Sequence, residues 1–283
     1  MPSDLDRVDQ HRASTEWVAG LWRTEDAQLL KMDAESRFTT NESGDKLRMT
    51  RPFVEFDRQR HFLLGLLDGS PIFVVEALTQ GPVHSLRDVG HQLSDTQRDI
   101  AAAATALTNW HRAEPRCPQC GQPTTVLNGG FARFCPVTET QYFPRTDPAV
   151  IVAIVDDQDR LLLGGQDSWP DGRVSILAGF VEAGESLEQT VHREIAEEVD
   201  VTLSQVRYFG SQPWPFPRSL MLGFAARAKT TEISVDADEI AFADWYSRDR
   251  VKSEMAAGTL TLPGRSSIAS RLIAAWMDGT LDI

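Results

Sequence analysis

Apolar positions along the chain change their period several times, and each change marks an element. Leu187, Val191, Ile195 and Val199 recur every four residues, the stripe of an amphipathic helix. Ser186 followed by Gln189 is a capping box, so this helix is predicted to begin just after Ser186. Asp95 to Trp110 reads as a helix rich in alanine, and Ser266 to Met277 as a closing one with Ile268, Leu272, Ala275 and Trp276 on one side. Ala149–Val155 is a continuous apolar run, hence a buried strand, which Asp157-Gln158-Asp159 turns back into Leu161–Leu163. Val174–Leu177, Arg207–Gly210, Leu220–Ala228 and Asp244–Tyr246 are further strands. Leu63–Leu67 and Ile72–Val75 flank Asp68-Gly69-Ser70-Pro71, a hairpin with an Asp-Gly turn. From about Phe143 onward the order is strands, helix, strands. It suits an α/β fold in which helices sandwich a mixed sheet.

The polar positions of the helix after Ser186 do not fit an ordinary amphipathic pattern. At about 100° per residue, Glu198 projects between Leu187 and Val191, and Glu194 lies beside Leu187. Glu197 joins them in the same turn. Like charges three or four residues apart repel, acids near a helix C-terminus oppose its dipole, and carboxylates facing a core are costly unless paired. A solvated acidic face is the plainer reading of Glu-Ile-Ala-Glu-Glu taken alone. A bound divalent cation would remove all three penalties, and hard oxygen ligands suit Mg²⁺ or Mn²⁺.

Composition narrows the partners. The 283 residues carry a net charge of −13, which argues against tracking along nucleic acid or lying on an anionic membrane. No apolar run is long enough to span a bilayer. The opening decapeptide is polar and acidic, unlike a signal peptide. Three cysteines, two of them as Cys117-x-x-Cys120, point to metal ligation in a reducing compartment, with the cytoplasm as the expected location.

The chain divides into three. Residues 1–112 carry no motif with readable chemistry and are expected to be a scaffold or dimerisation domain. Residues 113–143 are rich in proline and glycine, and Cys117-Pro118-Gln119-Cys120 resembles the first knuckle of a zinc ribbon. Cys135 begins the second knuckle, but Thr138 stands at its fourth-ligand position. Zinc held by Cys117, Cys120 and Cys135 would need His111, Glu139 or water beside them. The alternative is a metal-free hairpin packed through Phe131, Phe134, Tyr142 and Phe143. Residues 144–283 carry the acidic helix.

Two stretches carry a family resemblance. Gly179, five residues, Glu185, seven residues and then Arg193-Glu194-Ile195-Ala196-Glu197-Glu198 resembles the Nudix box of hydrolases acting on nucleoside-diphosphate-linked substrates. Asp200 replaces the glycine that ends the box helix. Ser211-Gln212-Pro213-Trp214-Pro215-Phe216-Pro217-Arg218-Ser219 holds three prolines in five residues, which predicts a stiff exposed loop rather than helix or central strand. It resembles the SQPWPFPxS signature of the NADH pyrophosphatases (NAD⁺ diphosphatases) within the Nudix hydrolases.

That resemblance implies a rudimentary Nudix-like N-terminal domain, a zinc ribbon, a catalytic Nudix domain and a homodimer. The implied reaction splits NAD(H) into nicotinamide mononucleotide and AMP, and some such enzymes also remove NAD caps from RNA 5′ ends. By matched position, Glu194, Glu198, Glu239 and the carbonyl of Ala178 would hold Mg²⁺ or Mn²⁺, with Glu197 beside them. Glu194, Glu198 and Glu239 would carry the catalysis, with Glu185 and Arg193 pairing behind them. Gln212 to Ser219, Phe180, Phe143, Arg87, Ala269 and Lys31 would meet the substrate. A charged family position falls on Gly130 here. The rivals are a Nudix hydrolase of ADP-ribose or a diadenosine polyphosphate, a ligand sensor that kept the fold, and a nucleic-acid-binding ribbon protein. The retained acids speak against the second and the acidic balance against the third.

Overall fold

Two mixed sheets, each containing one parallel strand pair, carry the fold of the computed structural model. It describes residues 3–283; Met1 and Pro2, which open the expected 1–112 domain, lie outside the described residues. The chain separates into two units, one running to Arg145 and including Pro215–Arg218, the other comprising Thr146–Trp214 and Ser219–Ile283.

In the first unit a seven-stranded sheet runs in the order Leu5–Asp6, Phe62–Leu67, Ser70–Glu76, Gln28–Met32, Arg37–Thr39, Val83–Ser85, with Met49–Thr50 on Gln28–Met32. Gln28–Met32 and Ser70–Glu76 are its parallel pair. The expected hairpin is present: Leu67 faces Ser70, and Asp68 and Gly69 both take positive φ, at 50° and 83°, as a two-residue type I′ turn requires. Helix Asp95–Ala113 buries Ile100, Ala101, Ala104 and Leu107 in the same cluster as Leu30, Phe38 and Val74 of the sheet. Three short antiparallel strands, Thr125–Leu127, Ala132–Cys135 and Thr140–Tyr142, form the ribbon.

The second unit holds a six-stranded sheet in the order Leu203–Trp214, Ser219–Ala228, Asp147–Val155, Leu161–Gly165, Phe242–Tyr246, with Leu177–Phe180 also paired to Asp147–Val155. Asp147–Val155 and Ser219–Ala228 run parallel. Alternate residues of Asp147–Val155 enter different cores: Val150, Val152 and Ile154 pack with helix Leu187–Val199, and Ile151, Ala153 and Val155 with helix Ile268–Met277. A strand covered on both faces explains its unbroken apolar run.

Two expectations are corrected. Ser211 to Trp214 is not loop but the end of strand Leu203–Trp214, with Gln212 opposite Met221 and Trp214 opposite Ser219. That strand lies at the sheet edge, where Pro213 can face away from the ladder and its missing N–H costs nothing. Val174 to Leu177 is not a strand either, because only Leu177 begins one. Ser175 exchanges backbone bonds with Gly164 and the Val174 N–H reaches Thr261, so Val174 and Ile176 are buried without a ladder. Among the described residues no helix is long and apolar enough to cross a membrane.

Candidate active site and metal centres

Helix Leu187–Val199 begins where its capping box predicts: the Gln189 N–H donates to Ser186 Oγ at 3.2 Å, and the Ser186 N–H to Gln189 Oε1 at 2.8 Å. Val191, Ile195 and Val199 are fully buried, worth about 1.5–3 kcal/mol each, and anchor one face to the sheet. Glu194 and Glu198 go down with them, each only 8% exposed. Asp200 ends the helix in the left-handed conformation, φ 56° and ψ 28°, so aspartate does here what glycine does in the family pattern.

Strand Leu177–Phe180 supplies the opposite wall. A Cβ on Gly179 would lie 1.8 Å from Glu194 Cδ, so only glycine leaves room for that carboxylate. Arg193 ties strand, loop and helix together. Its guanidinium meets Glu185 at 2.7 Å, Glu194 at 3.0 Å and Glu197 at 2.9 Å, and donates to the Phe180 carbonyl at 3.0 Å. The pairing expected of Glu185 and Arg193 is therefore present, and it holds the Glu185 carboxyl down at about 2. Glu197 lies on the exposed side of the helix, engaged by Arg193.

Glu198 differs from its neighbours. Burial, then the charges of Glu194, Glu239 and Glu197, push its carboxyl up to about 8. Its Oε2 is buried with no hydrogen-bond partner. Burial raises Glu194 too, against the pull of Arg193. The acidic loop is tied to the helix end by the Asp236 N–H, which donates to the Glu198 carbonyl at 3.1 Å. Glu239, exposed on that loop, adds its charge to both buried acids. An orphaned carboxylate oxygen facing like charges is the kind of atom a hard divalent cation would satisfy, although among the described residues only the three cysteines, not Glu194, Glu198 and Glu239, gather at ligand-cluster distance.

A pocket of about 240 Å³ opens beside Glu198 and Ala178, lined also by Gln166, Trp169 and Ser175. A second of about 240 Å³ shares Trp169 and Ser175 and continues to Arg173, Gln212, Trp214 and Ala269. Pattern reading missed Trp169, Arg173 and Ser175; the only signal was a tryptophan in the turn-rich Trp169-Pro170-Asp171-Gly172. Gln212 spends its amide on the final helix, donating to the Ser266 carbonyl and accepting from the Ile268 N–H, both at 2.6 Å. Phe180 stays 58% exposed.

Of the remaining residues that the family resemblance implies, Lys31, Arg87, Phe143 and Pro215 to Arg218 belong to the first unit, and Pro213 and Ser219 to the second. Arg87 sits over the Phe216 ring at 4.9 Å. The Pro215 carbonyl accepts from Asn109 at 2.9 Å, and Arg218 pairs with Glu114 at 3.1 Å. Phe216 is half-buried against the first core, while Pro213 and Pro217 are exposed and Ser219 is buried. Lys31 lies over Phe53 at 4.8 Å, and Phe143 is 60% exposed.

In the ribbon, the sulfurs of Cys117, Cys120 and Cys135 lie within 4.8 Å of one another. Backbone N–H groups of Gln119 and Cys120 point at Cys117, and those of Val137 and Thr138 at Cys135, so both knuckles keep the shape that holds a thiolate. The Tyr142 hydroxyl is 3.0 Å and Thr138 Oγ1 3.6 Å from Cys117 Sγ. Burial raises the Cys117 thiol, but these hydrogen bonds, Tyr142 foremost, bring it to about 6. A preformed cluster of three thiols suits zinc. His111 is excluded as a ligand: Arg133 occupies its Nδ1 and the Gly130 carbonyl its Nε2, both at 2.7 Å, and its ring stacks on Phe62. Burial holds this imidazole down at about 4. Glu139 is exposed and does not join the sulfurs. Gly130, where the family has a charge, takes φ 110°, and a Cβ there would sit 2.6 Å from Phe62 Cβ.

The NUDIX domain model matches residues 145–262. A protein of Mycobacterium bovis (strain BCG / Pasteur 1173P2) named NAD-capped RNA hydrolase NudC is 38% identical over 96% of this chain and 92% of its own length. Human NAD-capped RNA hydrolase NUDT12 is 38% identical over 66% of this chain and 43% of its own. Among solved structures, a NUDIX hydrolase from Nitrosomonas europaea is similar at TM-score 0.47 and 19% identity, covering 58% of this chain and 90% of that one. With a relative matched over nearly its whole length, the chain belongs to the Nudix hydrolases, in their NADH pyrophosphatase family.

Proposed function

We propose that this enzyme hydrolyses the pyrophosphate bond of NAD(H) to nicotinamide mononucleotide and AMP, and removes NAD caps from RNA 5′ ends. The observation that carries the reading is Glu198 Oε2, buried and unpartnered, in the wall of a pocket and under the charges of Glu194, Glu239 and Glu197. The mycobacterial and human relatives named NAD-capped RNA hydrolases support the substrate. Glu194, Glu198, Glu239 and the Ala178 carbonyl would hold Mg²⁺ or Mn²⁺. When bound, such ions neutralise the diphosphate and acidify the attacking water. Glu198 Oε2 or the Glu239 carboxylate takes the water's proton, and Arg193 keeps Glu194 in place from behind. The exposed Phe180 ring is suited to stack on a base or the nicotinamide, and Trp169, Trp214 and Ala269 line the pocket for the other end of the dinucleotide. The assignment of Phe143, Arg87 and Lys31 to the substrate rests on the family resemblance alone.

The ribbon holds zinc through Cys117, Cys120 and Cys135, and the enzyme is a cytoplasmic homodimer.

The test is chromatography of products from NADH, NAD-capped RNA, ADP-ribose and a diadenosine polyphosphate, with and without Mg²⁺ or Mn²⁺. Nicotinamide mononucleotide and AMP from NADH, with metal only, is the expected result. Faster turnover of ADP-ribose or the diadenosine compound than of NADH would overturn the substrate assignment.

A further inference from the structure

A structural zinc site is nearly always closed by four protein ligands. Here three are cysteine sulfurs, and no carboxylate or imidazole among the described residues joins them. Thr138 stands at the sequence position of the fourth cysteine, its hydroxyl 3.6 Å from Cys117 Sγ and hydrogen-bonded to Cys135 as well. The Tyr142 hydroxyl, at 3.0 Å from that sulfur, is at hydrogen-bonding distance and has a donor role toward a thiolate. Neutral hydroxyls are poor zinc ligands beside thiolate, imidazole or carboxylate. Cys120 is exposed, so the cluster opens to solvent on one side.

Resting on the zinc reading above, we propose that the ribbon of this chain is an open zinc site. Cys117, Cys120 and Cys135 hold the ion, Tyr142 donates to Cys117, and the fourth place beside Thr138 takes exchangeable water that a small thiolate can displace. Open coordination is the mark of zinc sites that exchange ligands. The second knuckle keeps its backbone shape without its second cysteine, so the site loses a ligand without losing its frame.

Cobalt substitution of the full-length protein tests this, because the visible bands of Co²⁺ report the number of thiolates around it. One Co²⁺ per chain with a three-thiolate spectrum is expected, moving toward a four-thiolate spectrum as 2-mercaptoethanol is added. Thr138→Cys should show the four-thiolate spectrum without added thiol, and should release zinc to a chromophoric chelator more slowly than the native chain. Thr138→Val should bind as the native chain does. A native spectrum that already shows four thiolates, or one that ignores added thiol, would overturn the open site. So would a cobalt spectrum in Thr138→Val that differs from the native one in coordination geometry, which would make the hydroxyl itself a ligand. Failure of native chain and Thr138→Cys alike to bind either ion would instead remove the zinc reading on which the inference stands.

Discussion

Helices Asp95–Ala113 and Leu187–Val199 solve the same problem in opposite ways. Each follows a serine N-cap with glutamine three residues on, and each lays one face on a mixed sheet. The first buries alanines and two threonines, and those threonines satisfy themselves: Thr105 and Thr108 donate to the carbonyls of Ala101 and Ala104 at 2.8 Å. The second buries two glutamates and leaves Glu198 Oε2 with no partner. One helix is finished by the fold; the other is finished only by something that binds. Buried polar groups are generally paired, so the orphaned carboxylate marks the second helix as the one open to a ligand; the other orphaned atoms, Arg12 Nε and Nη1 in the first unit, belong to a guanidinium seated over the Phe131 ring.

The sharpest way to break the contrast is to remove the charge. Glu198→Gln should lower kcat for NADH by roughly 10²–10³-fold, while the melting temperature of the metal-free protein stays level or rises, because a repelled buried charge has gone. Wild-type turnover from this variant would remove Glu198 from the site. The reverse experiment is Ala101→Leu on the quiet helix. Overpacking there should cost about 1–3 kcal/mol of stability by chemical denaturation and leave kcat/KM unchanged. A selective loss of turnover would mean that the two helices are not so separable.

pH offers a third measurement. The Glu198 carboxyl is raised to about 8 from an ordinary 4.5, so between those values the folded metal-free protein binds more protons than the unfolded chain. This group's stability contribution therefore falls as pH rises through that window. Added Mg²⁺ or Mn²⁺ should restore it, and the gap between melting curves with and without metal should widen from pH 5 to pH 8. His111 acts in the opposite sense. Its pKa is lowered to about 4 from 6.5, so its contribution is complete above 6.5 and drains as pH falls toward 4. The smallest effect is expected at the helix end: Asp200→Gly relieves a left-handed aspartate and should stabilise by no more than about 1 kcal/mol, with turnover unaltered.

Much of the acidic helix was legible in advance, because its signals are local. A capping box, a four-residue apolar stripe and the angular position of Glu194 and Glu198 depend on neighbours within one or two turns. The hairpin at Asp68-Gly69 was legible for the same reason. Ser211–Trp214 was misread because prolines forbid a central strand but not an edge strand, and edge position is set by which strands lie beside it. Trp169 and Arg173 gave no periodic signal, and they enter a pocket wall only because backbone bonds pin Gly172 and Val174 to Thr261.

The capping signature shows where that boundary falls. Ser94-x-x-Gln97 and Ser186-x-x-Gln189 are the same motif, yet Gln189 turns back to its own cap while Gln97 accepts from the distant Leu47 N–H at 2.9 Å. Sequence by itself determined that acids would sit on a buried face and that three cysteines would share a ribbon, since helical angle and knuckle spacing are short-range geometry. Tertiary structure alone decided that Gly179 makes room for Glu194, that the Asp236–Glu239 loop comes to Glu198, and that His111 is spent on Arg133 and Gly130. Those outcomes depend on which strands and loops are brought together, and no local pattern encodes a partner tens of residues away.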